Sequence, residues 1–122
     1  MAKKKSSLVQ RSGGFVPVYY DLMDSPAYKS LSPKARCLML ELHRLEYPNR
    51  NGHIVMSEQQ AAIALGCAKN TASKAFEELI DRRFIKKSQE GNWYLKKATE
   101  WTLTFLKVNG REPTDDWKDW KK

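Results

Sequence analysis

Cysteine is scarce in this chain: 122 residues hold only Cys37 and Cys67, with no CxxC pair. A disulfide framework is thereby excluded, and a structural zinc site has no ligand set to stand on. Both cysteines fall in apolar helical patterns and are expected as buried free thiols. Long apolar runs are also missing, which excludes a transmembrane helix. No apolar stretch follows the basic N-terminus, so it does not read as a secretory signal; the expected location is cytoplasmic and nucleoid-associated. Gly-rich phosphate loops, nucleophile elbows and metal-ligand clusters are absent as well. His43 and His53 have no positioned partner legible in sequence. Asp115-Asp116 reads as the acidic first turn of a helix rather than a catalytic carboxylate pair. The chain is therefore not expected to be an enzyme, nor to carry a cofactor, a metal or a small-molecule effector.

Acidic residues are outnumbered, 14 Asp and Glu against 22 Lys and Arg, for a net charge of +8. That imbalance points to nucleic acid or an anionic membrane surface as partner. Its distribution is uneven. Residues 1–14 carry Lys3, Lys4, Lys5 and Arg11 without an acid, and residues 84–97 carry Lys86, Lys87, Lys96 and Lys97 against Glu90. The other stretches are close to neutral. Residues 1–14 read as a disordered basic arm ending in Gly13-Gly14. It is either a solubilising terminus or an arm that follows DNA phosphates through Lys3, Lys4, Lys5 and Arg11.

What is present suffices for one modest core, placed at residues 15–108, with 109–122 as a C-terminal tail. Ser25-Pro26 and Ser32-Pro33 each read as an N-cap and first helical residue. The second opens a helix from Pro33 to about Leu45, with Ala35, Leu38, Met39, Leu42 and Leu45 on one apolar face. Tyr47-Pro48 ends it, and Asn49-Arg50-Asn51-Gly52 turns toward a short β-leaning stretch at 53–56. Ser57 is placed to cap a helix over 58–65 that buries Ala61, Ala62 and Leu65. A further helix runs from Lys69 to about Arg83, with Ala72, Phe76, Leu79, Ile80 and the stem of Arg83 inside. Residues 84–87 form a strand, 92–96 return from a turn, and 100–106 alternate Trp101, Leu103 and Phe105 against Thr102 and Thr104. The resulting hairpin pairs 84–88 either with 92–96 or with 100–106. In the tail, Pro113 to Asp116 start a helix carrying Trp117 and Trp120 on one face. That face is buried against this domain or against a second copy in a homodimer.

Residues 57–83 carry the most specific signal, two helical patterns broken by Gly66-Cys67-Ala68. Ala62 and Gly66 leave room where two helices cross, and Leu65, Cys67, Ala72 and Ala75 fill the interior. Gly66 can take the left-handed conformation that ends a helix. The second helix exposes Lys69, Asn70, Ser73, Lys74 and Glu77, with Thr71 at the edge of that face. Asn can grip adenine through two hydrogen bonds, Ser and Thr reach bases or phosphates, and Lys reaches guanine or backbone. Glu77, Glu78 and Asp81 lie further along, away from the half that would enter a major groove. Ala68 stands where Ser or Asp would cap this helix, a loss of about 1 kcal/mol. Asn70 either caps in its place or reads bases.

The expected fold class is α+β, mainly α with a small β-sheet. The stretches FVPVYYDLMDSPAYKSLSPKAR, NRNGHIVMSEQQAAIALGCAKNTASKAFEELIDRRFI and KKATEWTLTFL resemble the winged helix-turn-helix superfamily in its MarR- and GntR-like style. More narrowly, they are similar to small helix-turn-helix proteins of bacterial phages, plasmids and mobile elements. The resemblance implies a three-helix core plus a β-hairpin wing, and sequence-specific binding of double-stranded DNA. It assigns recognition to Lys69, Asn70, Thr71, Ser73 and Lys74. The charge map gives the wing Lys86, Lys87, Lys96 and Lys97 for holding the backbone. Arg83-Phe84 departs from the family, where Gly-Phe is the usual helix exit. A transcriptional regulator is the expected role; a replication or partition factor would use the same surface, and the fold also serves as a protein–protein adaptor.

Overall fold

The structure, a computed structural model, describes residues 14–92 and 94–122. Lys3, Lys4, Lys5 and Arg11 of the expected arm lie outside the described residues. Among the described residues the chain is α+β. Its order is α1 (Tyr20–Met23), α2 (Pro26–Lys29), α3 (Pro33–Arg44), β1 (Ile54–Val55), α4 (Glu58–Leu65), α5 (Lys69–Asp81), β2 (Ile85–Gln89) and β3 (Glu100–Leu103), then a 3-10 turn at Asp116–Asp119. No described helix is long and apolar enough to cross a membrane.

The helix starts follow the side-chain chemistry that marks them. Ser25 Oγ accepts from the Tyr28 N–H at 3.1 Å and Ser32 Oγ from the Ala35 N–H at 3.2 Å, each with proline next in the chain. At α4, Ser57 and Gln60 exchange side-chain and backbone bonds in a capping box. The helix ends follow a shared geometry. Gly66 sits at φ +64° and the Cys67 N–H reaches the Ala62 carbonyl at 3.0 Å. Arg83 sits at φ +65°, and the Phe84 N–H reaches the Leu79 carbonyl at 3.0 Å. Arg83 thus takes the left-handed place of the missing glycine, and Phe84 is turned inward behind it.

Three strands form an antiparallel sheet in the order β1-β3-β2. Ile85 lies opposite Leu103, Lys86 opposite Thr102 and Lys87 opposite Trp101, before a bulge between Lys87 and Gln89. The partner of β2 is therefore the 100–106 stretch, over four residues, and among the described residues of 92–96 the expected return strand does not form. Residues 94–96 turn instead, and Asn92 and Lys97 make an isolated bridge. The physical reason is burial: Trp101 and Leu103 are buried, while Tyr94 and Leu95 are exposed.

Helix α5 packs against α3 and α4, and the sheet closes the far side. Ala35, Leu38 and Leu42 of α3, Ala61 of α4, and Ala72, Ala75 and Leu79 of α5 are all buried. Phe84 is fully buried, edge-on to Tyr28 and Phe105 and stacked on Trp117 at 6.0 Å. The tail is thus part of this core: the Asp115 N–H bonds the Thr104 carbonyl at 2.8 Å, and Trp117 is 5% exposed. Burial removes Trp117 from any surface that a second copy could touch. Trp120 is half-buried, with the Arg82 guanidinium 5.1 Å above its ring.

Several expected burials shift. Cys37 is exposed, because it falls one place off the α3 stripe of Ala35, Leu38 and Leu42, and Cys67 is half-buried; both are free thiols. Leu65 is half-buried at the end of α4. Ile80 is exposed, one position past the buried Leu79, and Arg83 is exposed in its left-handed turn. Asn51, expected only as a turn residue, is buried. Its Oδ1 accepts from the Leu103 N–H at 2.7 Å, and its Nδ2 approaches the carbonyls of Leu103 (2.9 Å), Leu106 (3.2 Å) and Lys107 (3.1 Å).

Candidate nucleic-acid interface

The N-cap of α5 is Ala68, which has no side-chain cap bond. The Asn70 side chain makes no hydrogen bond among the described residues, so it does not substitute as a cap. It lies exposed on the outer face of α5 with Lys74, one turn on. Lys69 is exposed at the first turn. Thr71 and Ser73 are different. Thr71 is half-buried. Ser73 is half-buried and its hydroxyl donates to Glu58 Oε2 at 3.1 Å, which ties α5 to the first turn of α4. The five expected recognition residues therefore divide, with Lys69, Asn70 and Lys74 open, Thr71 half-buried, and Ser73 half-buried and bonded to α4.

The acids of α5 divide too. Glu78 accepts from both the N–H (2.8 Å) and the Oγ (2.7 Å) of Ser32, which places its charge at the N-terminus of α3. Asp81 pairs with Arg82 at 2.9 Å, and Arg82 also donates to Ser30 Oγ at 2.9 Å. Glu77 remains exposed.

Strand alternation separates the wing lysines. Lys87 shares its face with Trp101, whose ring stacks on Phe76 of α5 at 5.1 Å and 19°. Lys86 points to the other face and pairs with Asp116 of the tail at 3.8 Å. Lys87 pairs with Glu90 at 3.0 Å. Lys96 and Lys97 are exposed and enter no ion pair among the described residues. Of the four expected wing cations, Lys87, Lys96 and Lys97 are brought to the α5 side or the tip, and Lys86 is not.

A groove of about 560 Å³ runs between α5 and the hairpin. Lys69, Ser73 and Glu77 form one wall, Lys87, Ala98 and Thr99 the other, with Phe76 and Trp101 in its floor and Glu58 at one end. Its charge is mixed, two lysines against two glutamates. Glu58, Glu78 and Trp101 are parts that sequence reasoning missed: each acts through a partner far away in the chain. At the sheet edge, His53 Nδ1 lies 2.9 Å from Glu100 Oε1. Among the described residues no cluster of three or more His, Cys, Asp or Glu could hold a metal ion.

No family model matches the chain, and no curated protein or solved structure matches it either.

Proposed function

We propose that this chain is a winged-helix protein that binds double-stranded DNA sequence-specifically, acting as a bacterial or mobile-element transcriptional regulator. One observation carries the reading. The N-terminal half of α5 presents Lys69, Asn70 and Lys74 outward, while Glu78 and Asp81 of its second half are engaged within the protein. Such polarity suits a helix that enters a major groove by its first turns. The strand order β1-β3-β2, with β1 preceding the two crossing helices and a hairpin following them, supports the winged arrangement.

In this reading Asn70 and Lys74 discriminate bases, and Lys69 lies beside the phosphates that border the groove. Lys87, Lys96 and Lys97 of the hairpin hold the backbone. Residues 57–83 are themselves neutral, so the attraction comes from the flanks and weakens with salt. The deciding experiment is fluorescence anisotropy on mixed-sequence duplexes across a salt series, followed by selection from a random duplex pool. Binding that falls with ionic strength and a recovered motif support the reading. Absence of binding to any duplex at low salt overturns it.

A further inference from the structure

A second cavity, of about 60 Å³, lies between the N-terminal segment and α3 and shares no lining residue with the groove beside α5. Residues 17–19 and Leu22 line it from the N-terminal side, Met39, Leu40 and His43 from α3, and Phe105 and Leu106 from the chain after β3. Helical spacing explains the α3 wall: Met39 and His43 are one turn apart on one face, and Leu40, partly exposed, is its solvent edge. The lining side chains are apolar or aromatic with one exception. His43 is only 9% exposed, and its ring makes no hydrogen bond among the described residues; its ring contact is with Phe105, at 5.5 Å. Neither ring nitrogen is fully sealed from solvent.

An imidazole in such surroundings loses its hydration at a cost unless a partner replaces the water. Burial favours its neutral form, in which one nitrogen donates and the other accepts. Water is a poor occupant here, because an enclosed water needs roughly two to four polar partners to stay. A carboxylate or an ammonium would bring an unpaired charge into the same apolar lining. A hydroxyl is different: it both donates and accepts, so it satisfies whichever ring nitrogen faces it. Size sets the rest. One enclosed water takes about 10–15 Å³ of such space, so about four to six non-hydrogen atoms fit.

We propose that this cavity is a binding site for a small neutral alcohol, whose hydroxyl bonds the His43 ring and whose carbon chain lies against Leu22, Met39 and Phe105. The site is independent of the DNA-binding reading above. Against the expectation from sequence, the chain then carries a small-molecule site. Its lining draws on three segments that no local window joins, and a bound alcohol ties residues 17–19 to α3.

The test uses the full chain with isotope-labelled methionine methyl groups and n-butanol as the probe, followed by nuclear magnetic resonance. Met39 lines the cavity, and Met56, at the other groove, is the internal control. The expected result is a saturable shift of the Met39 methyl, with nuclear Overhauser effects from butanol to that methyl and to the His43 ring, while Met56 stays in place. Butyrate and butylammonium, of the same length, give no saturable shift at Met39. His43→Leu raises the apparent Kd roughly two- to tenfold, the loss of one neutral hydrogen bond. His43→Gln, which restores a donor and an acceptor, recovers part of it; circular dichroism establishes that both variants are folded. A Met39 shift that never saturates, or equal shifts at Met39 and Met56, marks a general solvent effect and overturns the site. An affinity unchanged in folded His43→Leu overturns it too. Should neither variant fold, the wild-type Overhauser contacts decide, and their absence overturns the site. A Met39 shift that follows protein concentration without butanol assigns the cavity to a second copy of the chain and overturns the alcohol.

Discussion

Glu78 of α5 takes both hydrogen-bond donors of Ser32, the backbone N–H at 2.8 Å and the hydroxyl at 2.7 Å. The same hydroxyl accepts from Ala35 and caps α3, so one carboxylate joins the candidate reading helix to the start of the central helix. The pair is half-buried, where charge-assisted bonds are worth more than at the surface. Glu78→Ala is expected to cost about 1–3 kcal/mol, read as a lowered denaturation midpoint. Glu78→Gln keeps one acceptor and should lose less. Equal midpoints for wild type and Glu78→Ala would show that the pair adds nothing.

Arg83 holds a left-handed conformation that glycine adopts without strain. Arg83→Gly should therefore raise stability by up to about 1 kcal/mol, and Arg83→Val should lower it. Thermal melts of the two variants decide the matter. A lowered midpoint for the glycine variant would mean that the arginine side chain contributes more than the backbone strain costs.

The separation of the wing lysines predicts unequal effects on binding. Lys87→Ala and Lys97→Ala should weaken binding to every duplex and flatten its salt dependence. Lys86→Ala should change little, since that side chain faces Asp116 on the other side of the sheet. Asn70→Ala and Lys74→Ala should instead reduce preference for the selected site by about 1–3 kcal/mol. Anisotropy titrations on selected and scrambled duplexes measure both quantities, and a Lys86→Ala loss as large as that of Lys87→Ala refutes the assignment.

Burial holds the His43 imidazole below its ordinary pKa of 6.5, beside the Phe105 ring at 5.5 Å. Its neutral form is favoured in the folded chain, so its contribution is complete above about pH 6.5. As pH falls below that value the unfolded chain takes up the proton first, and stability declines until the folded pKa is passed. Urea denaturation at stepped pH should show this slope, and His43→Leu should reduce it. A slope that persists undiminished in the variant assigns it to other groups.

Trp117 is buried on Phe84, so Trp117→Ala is expected to cost about 3–5 kcal/mol. Loss of residues 112–122 should destabilise the protein comparably. Sedimentation of the truncated chain tests the alternative: a change of mass without a change of stability would make the tail an intermolecular contact.

Local chemistry made much of the fold legible. Ser25, Ser32 and Ser57 marked three helix starts, and Gly66 marked the break between α4 and α5. The bounds of α4 agree with its expected span. Long-range partners were not legible. Nothing in a window around Asn51 announces Leu103, and nothing around Glu78 announces Ser32. Sequence leaves the strand partner of β2 open because 92–96 and 100–106 both read as strands, and burial of Trp101 and Leu103 separates them. The candidate site shows the same division. The open positions Asn70 and Lys74 follow from helical spacing alone. The withdrawal of Ser73 by Glu58, and of Lys86 by Asp116, depends on neighbours that spacing cannot supply.

The amide of Asn51 bears on the order in which the molecule assembles. All its partners lie more than fifty positions downstream, at Leu103, Leu106 and Lys107. Helices α4 and α5 are joined by only three residues and meet at small entropic cost. The sheet cannot be completed until β3 arrives, and until then Asn51 keeps its water. Folding is therefore expected to proceed in two tempos, the α4–α5 pair early and the closure of the sheet onto Asn51 and β1 late. Asn51→Ala should accelerate unfolding far more than it slows folding. The surface that reads and the surface that grips would then mature at different times, with Asn51 as the stitch that joins them.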